Sequence, residues 1–267
     1  MSNKTIQYNQ AKLNYAIYGN GMPVVLIHGF GEDGSIWTNQ IPLLEKTFKL
    51  IVPDLPGSGK SERLLSENPS IEDYAAVIHA IIKKEDIHSF VIIGHSMGGY
   101  IALAYGEKYP TFIKGLGLFH STAFADSSTK IEARKKSISF IEEYGSQAFL
   151  KTSTPGLFYN QQIHQAAINN LISNGVNIEK QTLIEYYQAM MNRPDRTAVI
   201  QKASFPILFI AGQHDIAVPI TDSLKQSHWA NATHFHILEN SGHMGMIEEN
   251  EKANEILLEY LNAIEKQ

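Results

Sequence analysis

The chain has 267 residues, of which 43% are hydrophobic and 18% are charged, and its formal net charge is −5. This length and apolar content suffice for one large hydrophobic core with a small inserted domain. The acidic balance argues against a nucleic-acid-binding protein, and the lack of cysteine excludes disulfides and thiolate metal sites.

Residues 1–7 lack the apolar stretch of a signal peptide. No apolar run approaches the roughly 18 residues that a membrane span needs. We therefore expect a cytoplasmic protein with no membrane span and no nucleic-acid partner, present as a monomer or a homodimer.

The first half of the chain alternates strands with helices. Strand patterns occur at 5–18 (a hairpin turning at Asn9-Gln10), 23–27, 50–52, 91–93 and 114–119. Helical patterns occur at 35–48, at 71–82 after a capping box of Ser70 and Asp73, and at 100–109. This alternation predicts an α/β fold with a mostly parallel, doubly wound sheet and helices on both faces.

Residues 122–202 break this alternation, because only helical patterns occur there, at 131–144, 161–172 and 178–191. Strands resume at 205–210 and 234–238 with a helix from Thr221 between them, and a last helix covers 246–264. We therefore predict a core of residues 1–121 and 203–267. A helical cap, residues 122–202, is expected over the carboxyl edge of the sheet.

Ser96 lies between the strand at 91–93 and the helix that follows, in the pattern Gly94-His95-Ser96-Met97-Gly98. A serine in so sharp a turn has its hydroxyl exposed, and small residues are needed where the turn meets the packed helix. The five-residue pattern is short, so most of the support for this interpretation comes from the strand before it and the helix after it. We interpret Ser96 as a nucleophile.

A serine nucleophile needs a histidine to take its proton, and the other ring nitrogen of this histidine needs a carboxylate. Sites of doubly wound sheets form at the carboxyl ends of strands. Asp215 follows the strand at 205–210, and His243 follows the strand at 234–238. The chain order Ser96, Asp215, His243 is the order that this kind of turn requires.

These residues, together with His28-Gly29-Phe30 and the loop at 54–59, resemble the α/β-hydrolase superfamily over residues 5–119 and 203–264. Within it, the chain is similar to small capped hydrolases, which include carboxylesterases, carbon–carbon bond hydrolases and cofactor-free haloperoxidases or perhydrolases. Dehalogenases and epoxide hydrolases of this fold have an aspartate nucleophile, so Ser96 argues against both.

The resemblance implies a cofactor-free serine hydrolase that forms an acyl-enzyme, with catalytic residues Ser96, Asp215 and His243. It also implies an oxyanion hole made by the backbone N–H groups of Phe30 and Met97. The residues expected to support this site are His28, Gly29, Gly94, His95 and Gly98, with the backbone rather than the ring of His95 in that role.

Other polar residues have competing interpretations. Asp126 is an alternative candidate for the acid of the triad. It comes after the strand at 114–119, and some lipases of this fold have their triad acid after the corresponding strand. We expect Asp54 to hold its own loop and Asp222 to interact with a helix dipole. His234 and His236 share one face of a strand but lack further ligands in the sequence, so no metal site is predicted.

The expected substrates are small-molecule esters with small or medium uncharged acyl groups. Carbon–carbon bond hydrolysis and perhydrolysis remain alternatives, because the same triad serves them. A third alternative is a small-molecule receptor that keeps the triad, although such receptors have a bulkier residue where this chain has Gly98-Gly99. Seven aromatic residues of the cap are assigned mainly to its core, with one or two lining the acyl pocket: Phe140, Tyr144, Phe149, Phe158, Tyr159, Tyr186 and Tyr187.

Overall fold

The computed structural model describes residues 1–230 and 233–266. In this part of the chain, eight strands form one sheet in the order β1-β2-β4-β3-β5-β6-β7-β8. β2 pairs antiparallel with both β1 and β4, and the remaining neighbours are parallel. The predicted mostly parallel α/β sheet is confirmed.

The observed strands lie close to their predicted positions. They are β1 Ser2–Tyr8, β2 Ala11–Tyr18, β3 Pro23–Ile27, β4 Lys49–Pro53, β5 Phe90–His95, β6 Ile113–Phe119, β7 Ile207–Gly212 and β8 Thr233–Leu238. The helices are α1 Ile41–Leu44, α2 Ile71–Lys84, α3 Met97–Lys108, α4 Ser128–Ser153, α5 Gln165–Gly175, α6 Lys180–Asn192, α7 Thr197–Lys202, α8 Ile220–Ser227, α9 Gly245–Glu248 and α10 Asn250–Glu265.

The central strands are buried on both faces, as their continuous apolar sequences predict. On β5, Ile92 packs in one core cluster with Ile78 of α2 and Ile101 of α3. Its neighbour Ile93 packs in a second cluster with Leu257 of α10. Alternate residues of a strand therefore hold helices on opposite faces, and this layering fixes the carboxyl edge of the sheet where the candidate site lies.

Two predicted helices are wrong as continuous elements. Residues 35–48 form a 3₁₀ turn at Gly34–Trp37 and the short α1, with Pro42 in its first turn. The apolar spacing there reflects burial rather than a continuous helix. Ile36 and Trp37 before the break in the helix, and Leu44 after it, are all buried. The last helix is interrupted at Glu249, which has non-helical angles and separates α9 from α10.

Residues 122–202, named here the insertion, hold α4 to α7 between β6 and β7. Gly145 has a positive φ of 81° and kinks α4. The insertion contacts loops that follow core strands: the Tyr186 hydroxyl donates to the Pro56 carbonyl at 2.8 Å, and the Leu157 carbonyl accepts from the His243 amide at 2.7 Å. The division of the chain into a core domain and a cap domain stays a prediction.

Within residues 1–230 and 233–266, every helix is too short or too polar to cross a bilayer.

Candidate active site

Ser96 lies in a strained turn between β5 and α3. Its φ of 50° and ψ of −115° are unusual for a residue with a side chain. The turn is held by a hydrogen bond from the Ser96 amide to the Phe119 carbonyl at 2.9 Å. The Ser96 carbonyl accepts from the Ser121 hydroxyl at 2.7 Å.

The glycines around Ser96 are required by close packing. A Cβ on Gly94 would collide with the backbone of Gly98, and a Cβ on Gly98 would collide with the carbonyl of Ile27 at the end of β3. The small residues of the pattern therefore bring β3, β5 and α3 together at this point.

Asp215 and His243 meet at the same edge of the sheet, after β7 and β8. Oδ2 of Asp215 accepts from Nδ1 of His243 at 2.8 Å, and Oδ1 accepts from the amides of Ala217 and Val218 at 2.8 and 2.9 Å. Burial raises the pKa of Asp215, but His243 and His120 outweigh burial and hold it well below its usual range. Asp215 is therefore a buried carboxylate anion whose partners fix its orientation.

Among the described residues, no hydrogen bond joins the Ser96 hydroxyl to the free ring nitrogen of His243. Such hydrogen bonds are often long before substrate binds. The two loops are connected through His95, because its Nε2 donates to the His243 carbonyl at 3.0 Å. The rings of His95 and His243 have centroids 4.9 Å apart.

The ring of His95, to which the sequence interpretation gave no role, pairs with Glu32. Nδ1 of His95 lies 3.0 Å from Oε2 of Glu32, and both side chains are buried. Because both ring nitrogens face acceptors, this geometry favours the imidazolium form of His95. Burial opposes this charge, but the carboxylate of Glu32 prevails and raises the pKa of His95.

The loop after β3 lies beside Ser96. His28 is buried and bridges this loop to the next, with Nδ1 donating to the Gly29 carbonyl at 2.8 Å and Nε2 accepting from the Leu55 amide at 2.9 Å. The Gly29 amide donates to Glu32 at 2.7 Å. Within the described part of the chain, the amides of Phe30 and Met97 donate no hydrogen bond to a protein acceptor.

His120 was missed by the sequence reasoning. It follows β6 directly, it is buried, and its Nδ1 lies 3.2 Å from Oδ2 of Asp215. The signal that identified Asp215 and His243, a polar residue just after a core strand, applies to His120 as well. Ligand-type atoms of His120, Asp215 and His243 lie within 4.8 Å of one another, with His243 hydrogen-bonded to Asp215 and both ring nitrogens of His120 accepting from the amides of Gly212 and Gly245.

Asp126 lies in a separate ion-pair cluster. Its carboxylate contacts Arg134 Nε at 2.6 Å and Arg193 Nη1 at 2.8 Å. Burial raises the pKa of Asp126, but the two guanidinium groups lower it overall. The guanidinium of Arg193 also lies over the ring of Tyr100, 3.8 Å from its centroid. Asp126 thus joins parts of the insertion to α3 and does not contact His243.

The remaining acidic candidates have structural contacts. Asp54 accepts from the amides of Gly34 and Lys60, both at 3.0 Å, and so joins its loop to the loop after β3. Asp222 lies in the first turn of α8, as expected. His234 and His236 lie on β8. The ring of His234 packs against that of Tyr260, with the two ring centroids 5.2 Å apart.

A cavity of about 90 Å³ lies between the loop after β3 and the insertion. Its walls include Phe30, Phe149, Leu150, Leu171, Tyr187 and Met244. The rings of Phe30 and Tyr187 stack at 4.3 Å. The walls of the cavity also include Glu32, Ser153 and Thr154, and Met244 is the wall residue next to His243 in the chain, although neither Ser96 nor His243 lines this largely apolar space.

Three comparisons relate this geometry to known proteins. Residues 22–139 match the model of a family described as the alpha/beta hydrolase fold. The putative carbamate hydrolase RutD of Acinetobacter baylyi is 24% identical over 266 residues, which cover 93% of this chain and 98% of that protein.

Two solved structures superpose over nearly the whole chain. A thermophilic esterase from Thermogutta terrifontis has a TM-score of 0.91 and 25% identity, covering 99% of this chain and 100% of its own. An enol-lactonase from Burkholderia xenovorans has a TM-score of 0.90 and 21% identity, covering 97% and 100%. The fold, including the helical insertion between β6 and β7, is therefore shared with hydrolases.

Proposed function

We propose that the chain, whose residues 22–139 match a family described as the alpha/beta hydrolase fold, is a serine hydrolase of small or medium acyl esters. Ser96 is the nucleophile, His243 the base and Asp215 the acid that orients the base. The observation that carries this proposal is the buried 2.8 Å hydrogen bond between His243 Nδ1 and Asp215 Oδ2. It lies at the sheet edge where Ser96 lies in its strained turn.

Acylation begins when Nε2 of His243 takes the proton of the Ser96 hydroxyl and the Ser96 oxygen attacks the ester carbonyl carbon. Asp215 supports this tautomer, because its Oδ2 accepts the proton on His243 Nδ1. The imidazolium of His243 then gives its proton to the leaving alcohol. The result is an acyl-enzyme on Ser96 and a neutral base.

The oxyanion of the tetrahedral intermediate is bound by the backbone N–H groups of Phe30 and Met97. Each donor of this kind contributes about 3 kcal/mol to stabilisation of the transition state. Deacylation repeats the sequence with water in place of Ser96, and His243 again acts as the base. All steps are proton or acyl transfers among the chain, the substrate and water, so this mechanism needs no cofactor.

The cavity beside Phe30 supports a preference for short acyl groups. Its volume of about 90 Å³ and its largely apolar wall, which also holds Glu32, Ser153 and Thr154, suit a short acyl chain better than a long one. The relatives named above act on carbamates, esters and enol-lactones according to their names, and we include these classes as substrates to be tested.

The proposal is tested with a fluorophosphonate probe and a substrate panel. We expect the probe to label the wild-type protein once, at Ser96, and Ser96→Ala to reduce ester kcat by about 10³-fold or more without loss of fold. Labelling at Ser58 or Ser241 would remove Ser96 as nucleophile. The panel consists of p-nitrophenyl esters of increasing acyl length, an enol-lactone, a carbamate, a vinylogous diketone and acetate with peroxide.

The panel separates the alternatives that share this triad. Fast turnover of acetyl to hexanoyl esters supports the esterase. Preferential cleavage of the diketone would identify a carbon–carbon bond hydrolase, and peracid formation would identify a perhydrolase. A single turnover followed by a trapped ligand would favour a receptor.

A further inference from the structure

Two consecutive carboxylates at the break between α9 and α10 contact the loop that carries His243. Glu249, at the break itself, has a φ of −128° and a ψ of 55°, which lie outside the helical region. Its Oε2 accepts from the Asn240 amide at 2.8 Å and from the Ser241 hydroxyl at 2.7 Å. Two of the three residues before His243 are thus held by the residue at which the helix is interrupted.

Glu248, the last residue of α9, holds the third of these residues and the insertion at the same time. Its Oε2 accepts from the Gly242 amide at 2.8 Å, and its Oε1 accepts from the Tyr159 amide at 2.7 Å. Each oxygen of one carboxylate therefore binds one backbone N–H, one from the loop before His243 and one from the insertion. Hydrogen bonds to an ionised acceptor of this kind are roughly twice as strong as neutral ones.

Residues 157–159 of the insertion pack directly against this loop. The Leu157 carbonyl accepts from the His243 amide at 2.7 Å. A Cβ on Gly242 would lie 2.6 Å from the Leu157 carbonyl oxygen and 2.9 Å from the Tyr159 nitrogen, so only glycine lets the two backbones approach this closely. A displacement of either segment would therefore reach the backbone of His243.

The loop that carries His243 depends on such contacts, because it follows an edge strand. In the described part of the chain, β8 lies at the end of the sheet and pairs with β7 alone. The hydrogen bond to Asp215 orients the ring of His243, and the contacts of residues 240–242 fix the backbone from which that ring extends. Proton transfer is sensitive to this placement, since a displacement of about 1 Å can cost about 10²-fold in rate.

We propose that Glu248 is a positioning residue, whose carboxylate fixes the backbone beside His243 and holds residues 157–159 against it. This inference rests on the proposed function of His243 as the base. Glu248 lies outside the insertion and does not line the 90 Å³ cavity, so we expect its effect on the chemical step. Burial raises the pKa of Glu248, although the amides of Tyr159 and Gly242 oppose this, and assays at about pH 8 keep the carboxylate ionised.

The experiment compares Glu248→Ala and Glu248→Gln with Glu251→Gln on p-nitrophenyl acetate. Alanine removes both acceptors, whereas glutamine keeps one, because its side-chain nitrogen donates and cannot accept. We expect Glu248→Ala to lower kcat per folded molecule by about 10-fold to 10²-fold with little change in KM, and Glu248→Gln to lie between Glu248→Ala and wild type. Glu251 is exposed in the first turn of α10, so Glu251→Gln should match wild type.

Hydrogen–deuterium exchange tests the contact itself without reference to activity. The amides of Gly242 and Tyr159 are expected to be protected in the wild-type protein, and Glu248→Ala should accelerate the exchange of both by about tenfold or more. Glu251→Gln should leave both rates unchanged. Because the wild-type measurement needs no variant, a folding defect of Glu248→Ala does not remove the test.

The outcomes separate this inference from the proposed function. If Glu248 contributes to stability alone, Glu248→Ala will lower the free energy of unfolding and leave kcat per folded molecule unchanged. That result, or a rise in KM at constant kcat, would overturn the positioning role, as would wild-type exchange of either amide at the rate of an unprotected loop. If Ser96→Ala instead keeps the wild-type ester activity, the proposed function fails, and with it the role of His243 as the base, while the exchange rates still report the contact.

Discussion

Asp126 and Asp215 both have side chains with no exposed surface, yet their partners differ in kind. Asp126 lies between the guanidinium groups of Arg134 and Arg193 in the insertion. Asp215 lies between the imidazoles of His120 and His243 at the sheet edge. Both carboxylates follow core strands or the loops after them, and the sequence presents both as candidate acids.

The partners decide what each carboxylate does. A guanidinium keeps its proton at any pH that the protein meets, so the Asp126 cluster is a fixed ion pair that joins chain segments. An imidazole gains and loses a proton near neutral pH, so a carboxylate beside it can support proton transfer. A buried carboxylate is thus a candidate for chemistry when its partner titrates, and a structural anchor when its partner does not.

The strongest test of this comparison is the pair Asp215→Asn and Asp126→Asn. Asp215→Asn leaves His243 Nδ1 without its anionic acceptor, and the wrong tautomer should lower kcat by up to about 10⁴-fold. Asp126→Asn removes the charge between two arginines and should cost about 3 kcal/mol of unfolding free energy. Its kcat per folded molecule is expected to stay within about tenfold of wild type.

Circular dichroism gives the folded fraction of each variant, and kcat on p-nitrophenyl acetate is divided by it. Both side chains have no exposed surface and the substitution is the same, so the main difference between the two positions lies in their partners. A 10³-fold or greater loss per folded molecule in Asp126→Asn, with Asp215→Asn near wild type, would transfer the acid of the triad to the insertion side.

Most of the fold could be predicted from local patterns, because buried strands are apolar throughout and caps have local signatures. The capping box of Ser70 and Asp73 is present, and the turn at Asn9-Gln10 has positive φ at both residues. The break near residues 38–40 could not be predicted, because the residues on both sides still bury an apolar face and keep the spacing of a helix.

The site is harder to predict, because its hydrogen bonds join distant positions. Asp215 and His243 could be inferred from their places after strands and from the needs of a serine nucleophile. The ring of His120 interacts with residues 92 and 125 positions away, and Glu32 is 63 positions from His95. Protonation states set by such contacts have no local sequence signal.

Glu32 provides an intermediate case, because it is a buried carboxylate whose imidazole partner is charged. The pKa of His95 is raised, so its contribution to stability is complete below about pH 6.5 and is lost as the pH rises through its folded pKa. Burial opposes ionisation of Glu32, but His95 lowers its pKa overall, so its contribution is lost as the pH falls. The Glu32–His95 pair should therefore contribute most to the free energy of unfolding between about pH 4.5 and 6.5.

Glu32→Gln should lower the free energy of unfolding by about 3 kcal/mol at pH 6 and by less at pH 9, as measured by urea denaturation. It should reduce kcat about tenfold, because the Gly29 amide and the His243 carbonyl lose a charged link. The control is Glu62→Gln, since Glu62 is exposed and accepts from the Lys12 amide at 2.7 Å. A pH-independent difference between wild type and Glu32→Gln would show that His95 is neutral.

The smallest effects are expected in the insertion, where we predict walls of the acyl pocket rather than reacting groups. Leu171 lines the 90 Å³ cavity beside Phe30, and Leu171→Ala should enlarge it. Each methylene of a longer acyl chain buried there contributes about 0.8 kcal/mol, or about fourfold in kcat/KM. We therefore expect the preferred p-nitrophenyl ester of Leu171→Ala to be longer by about one or two carbons, with little change on acetate.

Ile163→Ala is the matched control, because Ile163 belongs to the same insertion but is 74% exposed. It should leave the chain-length profile unchanged. Tyr159→Phe and His164→Gln should keep kcat on acetate within about tenfold, because rigid strand ends hold the reacting groups and the insertion does not. If one folded insertion variant instead lost about 10³-fold on acetate, the insertion would supply a catalytic group. Ester hydrolysis by the triad alone would then give way to a reaction that needs a further acid, such as carbon–carbon bond hydrolysis.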